Sequence, residues 1–141
     1  MLNALSDKIA QLAIVIGLLA QALAASPAVY EIRPNSELTQ AEIRGAIVQT
    51  ARQYGVSDVL ALAIAKCESN FDRLARSKTS SAKSYFQFID GTWKQTIKKM
   101  GLPTNSDVFD HNTHIQAAIW LLKNEGVKHW ESSRSCWEKE L

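Results

Sequence analysis

Residues 58–71 read DVLALAIAKCESNF, a short apolar run that ends abruptly in polar residues. From Val59 to Ala65 the run has almost no polar face, which is typical of a helix buried on most of its sides. Ser57, directly before it, is suited to cap such a helix because its hydroxyl oxygen can accept a hydrogen bond from a free backbone N–H group. The pattern predicts a buried helix at the centre of one domain.

An amphipathic helix is predicted before this segment. Thr39 and Glu42 have the spacing of a capping box, in which each side chain bonds the backbone N–H of the other residue. Gly55 ends the run, as glycine commonly does after a helix. The apolar residues between these points recur at three-to-four spacing and share one helical face: Ile43, Ala46, Ile47, Ala51 and Tyr54.

Two further helices are predicted after a basic, Ser-rich loop. One is capped by Asp90 or Thr92 and continues to Lys99, and the other covers about residues 113–125. Before them, the alternation of side chains at 85–89 indicates a short strand or a tight loop. The expected fold class is therefore all-α, or α with a very small β element.

Composition limits the class of protein. The chain has 141 residues, 46% of them apolar and 21% charged, which fits one small globular domain. Its net charge is +2 and it has no dense basic block, so a nucleic-acid partner has little electrostatic support. Five cations do lie close together in the sequence: Lys66, Arg73, Arg76, Lys78 and Lys83. They either belong to a solvated loop or attract an anionic polymer such as cell wall.

The first 25 residues differ in character from the rest. A short polar start, an apolar stretch and the Ala-x-Ala spacing of Ala22 and Ala24 predict an export signal, cut after Ala24 or Ala25. The apolar stretch also just reaches the length of a membrane span, about 17 residues, so an uncleaved anchor and membrane association stay open. An amphipathic helix of a soluble protein is the third interpretation. Residues 26–38 are expected to form a linker, and residues 39–141 are expected to form the folded domain.

Two cysteines, Cys67 and Cys136, lie far apart in the sequence. In an exported chain this even count favours a disulfide, and two buried free thiols are the alternative. Two cysteines are too few ligands for a metal site, and His111 and His114 lie too far along the chain to suggest a zinc motif. No metal or other cofactor is expected.

Glu68 ends the apolar segment, where it would lie near apolar walls and the negative end of the helix dipole. Both surroundings disfavour the ionised carboxylate and therefore raise its pKa. A glutamate that stays protonated near neutral pH is what general acid catalysis requires. The alternative for any single glutamate is an ordinary solvated surface position.

The order of these features resembles the soluble lytic transglycosylase (SLT) domain of the lysozyme-like superfamily. An apolar helix ending in CESNF is followed by a Ser-rich loop, then by SSAKSYFQFIDGTW at 80–93 and a helix containing HIQAAIWLL at 114–122. The resemblance covers about residues 39–137. It implies a single lysozyme-like helical domain with a substrate groove and no cofactor.

The resemblance also implies roles for individual residues. A family Glu-Ser pair matches Glu68 and Ser69, which makes Glu68 the single catalytic acid/base. A second family motif, Gly-Ala-x-Gly followed by two bulky residues, Gln and an apolar residue, matches residues 81–88. Ser81 and Ser84 stand where the family has glycine, which would supply a positive φ or a close approach to a sugar, so the local backbone is in question.

The substrate contacts implied by the same match are Ser69, Gln87, Tyr85 and Phe86. Tyr85 is the aromatic residue best suited to contact a sugar, although packing in the core is the alternative for each aromatic ring of this region. A tyrosine that many members carry in the later helix has no counterpart here, and Trp120 is the nearest aromatic residue.

The reaction implied is cleavage of the β-1,4 bond between N-acetylmuramic acid and N-acetylglucosamine in peptidoglycan, with closure of a 1,6-anhydro ring. A lysozyme-type hydrolase of this bond is the near alternative, and Asp72 and Asp90 are the nearest downstream candidates for its second carboxylate. A non-catalytic cell-wall-binding domain is an alternative of another class. The expected location is the periplasm or cell envelope, in wall turnover or beside a secretion, conjugation or phage apparatus.

Overall fold

The structure, a computed structural model, describes residues 38–141. Within this range it contains five α-helices: α1 Gln40–Tyr54, α2 Asp58–Ser69, α3 Asp90–Lys99, α4 His111–Glu125 and α5 Arg134–Trp137. Two 3₁₀ segments, Gly126–Ser133 and Glu138–Glu140, flank α5. The same residues contain no strand, and strand-like pairing is limited to two isolated bridges, Arg76 with Lys83 and Lys83 with Phe88. The all-α prediction is confirmed.

The predicted export signal at residues 1–25 lies outside the described residues, as does the predicted linker apart from Leu38. From residue 38 onward, no helix combines the length and the apolar character that crossing a membrane requires.

The first two helices begin where the sequence predicts. Thr39 Oγ1 accepts a hydrogen bond from the Glu42 N–H at 3.3 Å, and the Glu42 carboxylate accepts one from the Thr39 N–H at 2.8 Å. Gly55 ends α1 with a φ of 67°. Ser57 caps α2 by accepting a hydrogen bond from the Leu60 N–H at 3.2 Å. Local sequence therefore sets both helix starts.

α2 forms the centre of the fold, and its small side chains let neighbouring segments approach closely. α1 packs against both α2 and α4, and the carboxyl-terminal segment also contacts α2. The buried residues of α2 are Ala61, Ala63, Ile64 and Ala65. Val59 is 50% exposed, so the burial of α2 is less complete than its apolar sequence predicts.

The start of α3 differs from the prediction. Neither Asp90 nor Thr92 caps it; the N-cap residue is Ile89, whose apolar side chain cannot bond the free N–H groups. The hydroxyl of Ser81 accepts a hydrogen bond from the Asp90 N–H at 3.0 Å instead. The Asp90 carboxylate forms an ion pair with Lys83 at 2.5 Å, which lowers its pKa. A cap supplied from a preceding loop is invisible to local sequence signals.

α4 starts at His111, two residues before the predicted start at Thr113. Asp110 caps it by accepting a hydrogen bond from the Thr113 N–H at 2.9 Å. The predicted apolar face of α4 is buried: Ile115, Ala118, Ile119 and Leu122. His114 lies on the same helix and is fully buried as well.

The chain after α4 folds back onto the end of α2. Cys67 and Cys136 form a disulfide with their Cα atoms 6.0 Å apart, which confirms the predicted pairing. The indole rings of Trp130 and Trp137 are buried. Trp130 Nε1 donates a hydrogen bond to the Phe86 carbonyl oxygen at 2.9 Å. The carboxyl-terminal segment is therefore joined both to α2 and to the loop between α2 and α3.

Candidate active site

Glu68 lies at the carboxyl-terminal end of α2 and is half-buried. Burial removes water from its carboxyl group and raises its pKa above the ordinary value of 4.5; a hydrogen bond from Ser133 has a smaller, opposite effect. The negative end of the α2 dipole also disfavours the ionised form. Glu68 thus has the desolvated but accessible position that a general acid needs.

Ser69 joins the end of α2 to the loop that follows. Its hydroxyl oxygen lies 2.9 Å from the carbonyl oxygen of Tyr85 and 3.3 Å from that of Ala65. One hydroxyl hydrogen serves these two acceptors, so it is not available for donation to a ligand. Ser69 therefore holds the loop at residues 84–88 against the helix end that carries Glu68.

Residues 84–87 form a tight turn, one of the two interpretations that the sequence allows. Ser84 and Gln87 have φ angles of 65° and 53°, in the left-handed region that favours glycine. The Gln87 backbone N–H donates to the Ser84 carbonyl oxygen at 3.1 Å, and Gln87 Nε2 donates to the same oxygen at 2.8 Å. The Gln87 side-chain nitrogen is therefore used within the turn. Its Oε1 has no hydrogen-bond partner within residues 38–141.

Gln87 lines a cavity of about 110 Å³ together with His129, Trp130 and neighbouring apolar residues. The Trp130 carbonyl oxygen lies 3.1 Å from the Ser133 hydroxyl, which in turn donates to Glu68. Trp130, a wall of this cavity, is therefore linked to the Glu68 carboxyl group through the Ser133 hydroxyl. Glu68 itself is not among the residues that line the cavity.

The two serines at the family's glycine positions have different environments. Ser81 caps α3, as described above, and its φ is not positive. Ser84 adopts the positive φ, is fully buried, and has a hydroxyl oxygen without a hydrogen-bond partner in the described part of the chain. The backbone conformation that glycine would favour is therefore present at Ser84, where serine adopts it at an energetic cost.

His114 holds this turn in place, a role that the sequence patterns do not predict. Its Nδ1 lies 2.8 Å from the Val108 carbonyl oxygen, and its Nε2 lies 3.1 Å from the Phe86 backbone nitrogen. A carbonyl only accepts and an N–H only donates, so Nδ1 carries the hydrogen and the ring is neutral. Burial lowers the pKa of His114 from 6.5 to about 4. The available sequence signal was its place beside Ile115 on the buried part of α4.

Tyr85 and Phe86 do not present ring faces to a ligand, since they are 0% and 1% exposed. The Tyr85 hydroxyl bonds Nδ1 of His111, and burial raises the pKa of Tyr85. The Phe86 ring packs against those of His114 and Trp130. Stacking on a sugar needs an accessible ring face, so burial weighs against stacking by these two rings. Phe86 nevertheless lines the cavity of Gln87, and Tyr85 lines a second cavity beside Asp72. They are core residues that shape the turn.

Asp72 and Asp90, the candidates for a second carboxylate, both have structural contacts. Asp72 Oδ1 accepts a hydrogen bond from the Leu74 N–H at 2.8 Å and lines a separate cavity of about 190 Å³. Asp90 is paired with Lys83 at the start of α3. These contacts favour the structural interpretation for both aspartates.

Most members of the cluster of cations make contacts with other residues of the domain, although Lys66, Arg76 and Lys78 are exposed. Four of the five have partners: Lys66 pairs with Glu140, Lys83 pairs with Asp90, Arg73 donates to the Phe109 carbonyl oxygen, and Arg76 lies over the Phe109 ring. These contacts favour a structural role over the attraction of an anionic polymer.

Comparison with known proteins identifies the family. Residues 45–134 match the family described as Transglycosylase SLT domain. The chain belongs to this family. The SLT match confirms the resemblance seen in the sequence, and it includes Glu68, the turn at 84–87, His114 and Ser133. Cys136 lies just beyond the matched residues, so the disulfide joins the SLT domain to the segment that follows it.

A relative in sequence and a solved structure of similar fold both belong to proteins much longer than this chain. The membrane-bound lytic murein transglycosylase C of Mannheimia succiniciproducens is 34% identical over 84 residues, which cover 55% of this chain and 23% of that protein. The X-ray structure of an inactive Glu-to-Gln mutant of the lytic transglycosylase Slt from Pseudomonas aeruginosa matches with a TM-score of 0.53 and 20% identity. The match covers 69% of this chain and 22% of that one, and at this identity it shows a shared fold.

Proposed function

We propose that this SLT domain is a peptidoglycan lytic transglycosylase. It cleaves the β-1,4 bond between N-acetylmuramic acid and N-acetylglucosamine and leaves 1,6-anhydro-muramic ends. The observation that carries the proposal is Glu68, a half-buried carboxyl group whose pKa is raised by burial at the end of α2. Family membership and the similarity to a lytic murein transglycosylase support the same substrate class.

Glu68 acts twice in the proposed reaction, first as an acid and then as a base. The protonated carboxyl group donates its hydrogen to the glycosidic oxygen, which leaves C1 of the muramic acid with the bonding electron pair. The Glu68 carboxylate then removes the hydrogen of the C6 hydroxyl on the same sugar while the C6 oxygen bonds C1. The products are an anhydro-muramic end and an N-acetylglucosamine hydroxyl end, and Glu68 is protonated again.

This course requires only one catalytic carboxyl group. A two-carboxylate glycosidase needs a second Asp or Glu as nucleophile or base, across the scissile bond from the acid. The structural contacts of Asp72 and Asp90 argue against that role for either residue. The intramolecular C6 hydroxyl supplies the nucleophile instead, which favours the anhydro product over hydrolysis.

The neighbouring motif residues contribute by orientation. We propose that Gln87 accepts a hydrogen bond from a sugar group through Oε1, because its Nε2 is used within the turn. Ser69 acts indirectly, since its hydroxyl hydrogen is used on backbone carbonyl oxygens. Tyr85 and Phe86 act indirectly too, by packing under the turn that presents Gln87.

We also propose that the domain works in the cell envelope, where peptidoglycan lies. The pattern of residues 1–25 favours export, and the relative from Mannheimia succiniciproducens is named as membrane-bound. Mass measurement of the chain recovered from an expressing cell distinguishes a cut after Ala24 or Ala25 from a retained segment. Recovery of the uncut chain in the cytoplasm would contradict the proposed location.

The test of the activity is mass spectrometry of fragments released from purified peptidoglycan by the wild-type chain and by Glu68→Gln. The expected result is anhydro-muropeptides from the wild type, reduced about 10²- to 10⁴-fold in the variant, the usual contribution of a general acid. Fragments with reducing muramic ends would identify a lysozyme-type hydrolase. Binding without release by a folded wild type would identify a binding domain.

A further inference from the structure

The hydroxyl of Ser133 donates a hydrogen bond to Glu68 Oε1 at 2.6 Å, across 65 residues of sequence. Ser133 is the N-cap residue of α5, a position where serine usually accepts a bond from the helix's own N–H groups. Here its side chain makes no such cap bond. The side chain is directed to Glu68 instead of to its own helix.

Two acceptors compete for the one hydroxyl hydrogen of Ser133. The second is the Trp130 carbonyl oxygen, which is farther away at 3.1 Å and already accepts a hydrogen bond from Trp137 Nε1 at 2.9 Å. A carboxyl group becomes the stronger acceptor as it ionises. Distance and acceptor strength therefore both assign the hydrogen of Ser133 to Glu68.

Three contacts fix the segment that carries Ser133. Three residues before it, the buried Trp130 ring donates from Nε1 to the Phe86 carbonyl oxygen. Three residues after it, Cys136 is bonded to Cys67, the residue next to Glu68. Trp137 is buried beside them and bonds back to Trp130. Ser133 is thus held at a fixed distance from Glu68 by anchors on both sides.

We propose that Ser133 is a positioning residue for the proposed transglycosylase reaction: it holds Oε1 of Glu68 and leaves Oε2 to carry the working hydrogen. Oε2 has no hydrogen-bond partner within residues 38–141. Because Oε1 is occupied as an acceptor, Oε2 acts in both steps of the reaction. It gives a hydrogen to the glycosidic oxygen and later takes one from the C6 hydroxyl. The catalytic role of Ser133 rests on the proposed function. The hydrogen bond between Ser133 and Glu68 rests on the geometry alone.

The contact is tested first without any substrate. NMR detection of the Glu68 side-chain carboxyl carbon follows its titration in the wild-type chain, in Ser133→Ala and in Ser132→Ala. The exposed Ser132 is the matched control, because its side chain makes no hydrogen bond within residues 38–141. Loss of a donor to the carboxylate disfavours ionisation, so Ser133→Ala should raise the pKa of Glu68 while Ser132→Ala leaves it unchanged. An unchanged pKa in folded Ser133→Ala overturns the proposal.

The catalytic part is tested by the pH dependence of kcat/KM for the same three chains and for Ser133→Thr. In Ser133→Ala, kcat/KM should fall about 10- to 100-fold, the scale expected for a mispositioned catalytic group. Its loss of activity with rising pH should also move to higher pH. Ser133→Thr keeps a hydroxyl and should restore both properties. Equal profiles for Ser133→Ala and Ser132→Ala would overturn the positioning role. An inactive wild type would contradict the proposed function, while the titration would still decide the Ser133 contact.

Discussion

His114 Nε2 accepts a hydrogen bond from the backbone N–H of Phe86 at 3.1 Å, across 28 residues of sequence. Its other ring nitrogen donates to the Val108 carbonyl oxygen. One buried side chain of α4 therefore satisfies backbone groups of two loops and holds the turn of Gln87 in place. A protonated ring would present two donors, and the Phe86 N–H would lose its acceptor.

Stability should fall in mildly acidic solution because of His114. The unfolded chain protonates this residue with a pKa near 6.5, whereas burial lowers its folded pKa to about 4. Its contribution is therefore fully present above pH 6.5 and is lost as the pH falls toward 4, by about 3 kcal/mol in the free energy of unfolding. Urea denaturation at pH 7.5, 5.5 and 4.5 measures this slope.

His114→Gln is the matched variant, since its amide keeps a donor and an acceptor but does not titrate. We expect it to be less stable than the wild type at pH 7.5, with a smaller loss of stability between pH 6.5 and 4. Glu68 titrates in both chains, so the difference between them isolates His114. Parallel pH slopes for the two chains would contradict the buried, neutral state of His114.

Ser84→Gly should stabilise the protein. The change removes a positive φ from a non-glycine residue and a buried hydroxyl without a partner, worth together about 2–4 kcal/mol. Greater freedom of glycine in the unfolded chain offsets about 1 kcal/mol of this gain. Chemical denaturation should therefore show a net increase of at least about 1 kcal/mol in the free energy of unfolding.

Ser81→Gly is the contrasting change at the other family glycine position. It removes the oxygen that accepts the Asp90 N–H at the start of α3, and loss of such a cap costs about 1 kcal/mol. The two glycine substitutions should therefore move the melting temperature in opposite directions. Stabilisation by both would show that the Ser81 contact is not a stabilising cap.

The Cys67–Cys136 disulfide should contribute both to stability and to activity. It closes a loop between cysteines 69 residues apart and so lowers the conformational entropy of the unfolded chain. This effect stabilises the folded chain by about 4 kcal/mol. The Cys67→Ser, Cys136→Ser double variant should unfold at lower denaturant and should lose part of its activity while folded, because the Ser133 segment is freed. A reductant should reproduce both effects in the wild type and leave the double variant unchanged. Full activity of the reduced, folded wild type would contradict the second expectation.

Glu68→Gln should gain stability relative to the wild type as the pH rises above 4.5. The pKa of Glu68 is higher in the folded than in the unfolded chain. Its contribution to the free energy of unfolding is therefore present below the pKa of the unfolded chain and is lost as the pH rises through the pKa of the folded chain. The neutral amide avoids that loss and still accepts from Ser133 through its oxygen. Thermal unfolding at pH 4 and pH 8 tests this, and a relative gain at pH 4 that disappears at pH 8 would contradict it.

The parts of the fold that sequence predicts are those set by local chemistry. The capping box of Thr39, the Ser57 cap and the turn of Gly55 all depend on neighbours within a few residues, and all occur where predicted. The cap of α3 was mispredicted because its partner, Ser81, lies in a preceding loop. The sequence allows either a disulfide or two free thiols, because the fold and not the sequence pattern brings Cys67 and Cys136 together.

The candidate site divides in the same way. Glu68 could be proposed from its place at the end of an apolar helix, and Gln87 from the motif that follows. Ser133 could not, because its relation to Glu68 depends on how the last segment folds back over α2. For Tyr85, the motif shows only that it lies next to Gln87 in this part of the sequence, whereas burial, which the sequence does not show, decides whether its ring is accessible.

The most direct test of the central claim, that Glu68 is the catalytic acid and that burial raises its pKa, is the pH dependence of kcat/KM on soluble glycan strands. The wild type and Glu68→Gln are compared after both are shown to be folded. We predict that wild-type activity is lost as the pH rises through a pKa above the ordinary 4.5 of glutamate, and that Glu68→Gln lacks this pH dependence and is about 10²- to 10⁴-fold less active than the wild type at its optimum. Activity lost at or below pH 4.5, or wild-type rates in Glu68→Gln, would contradict the claim.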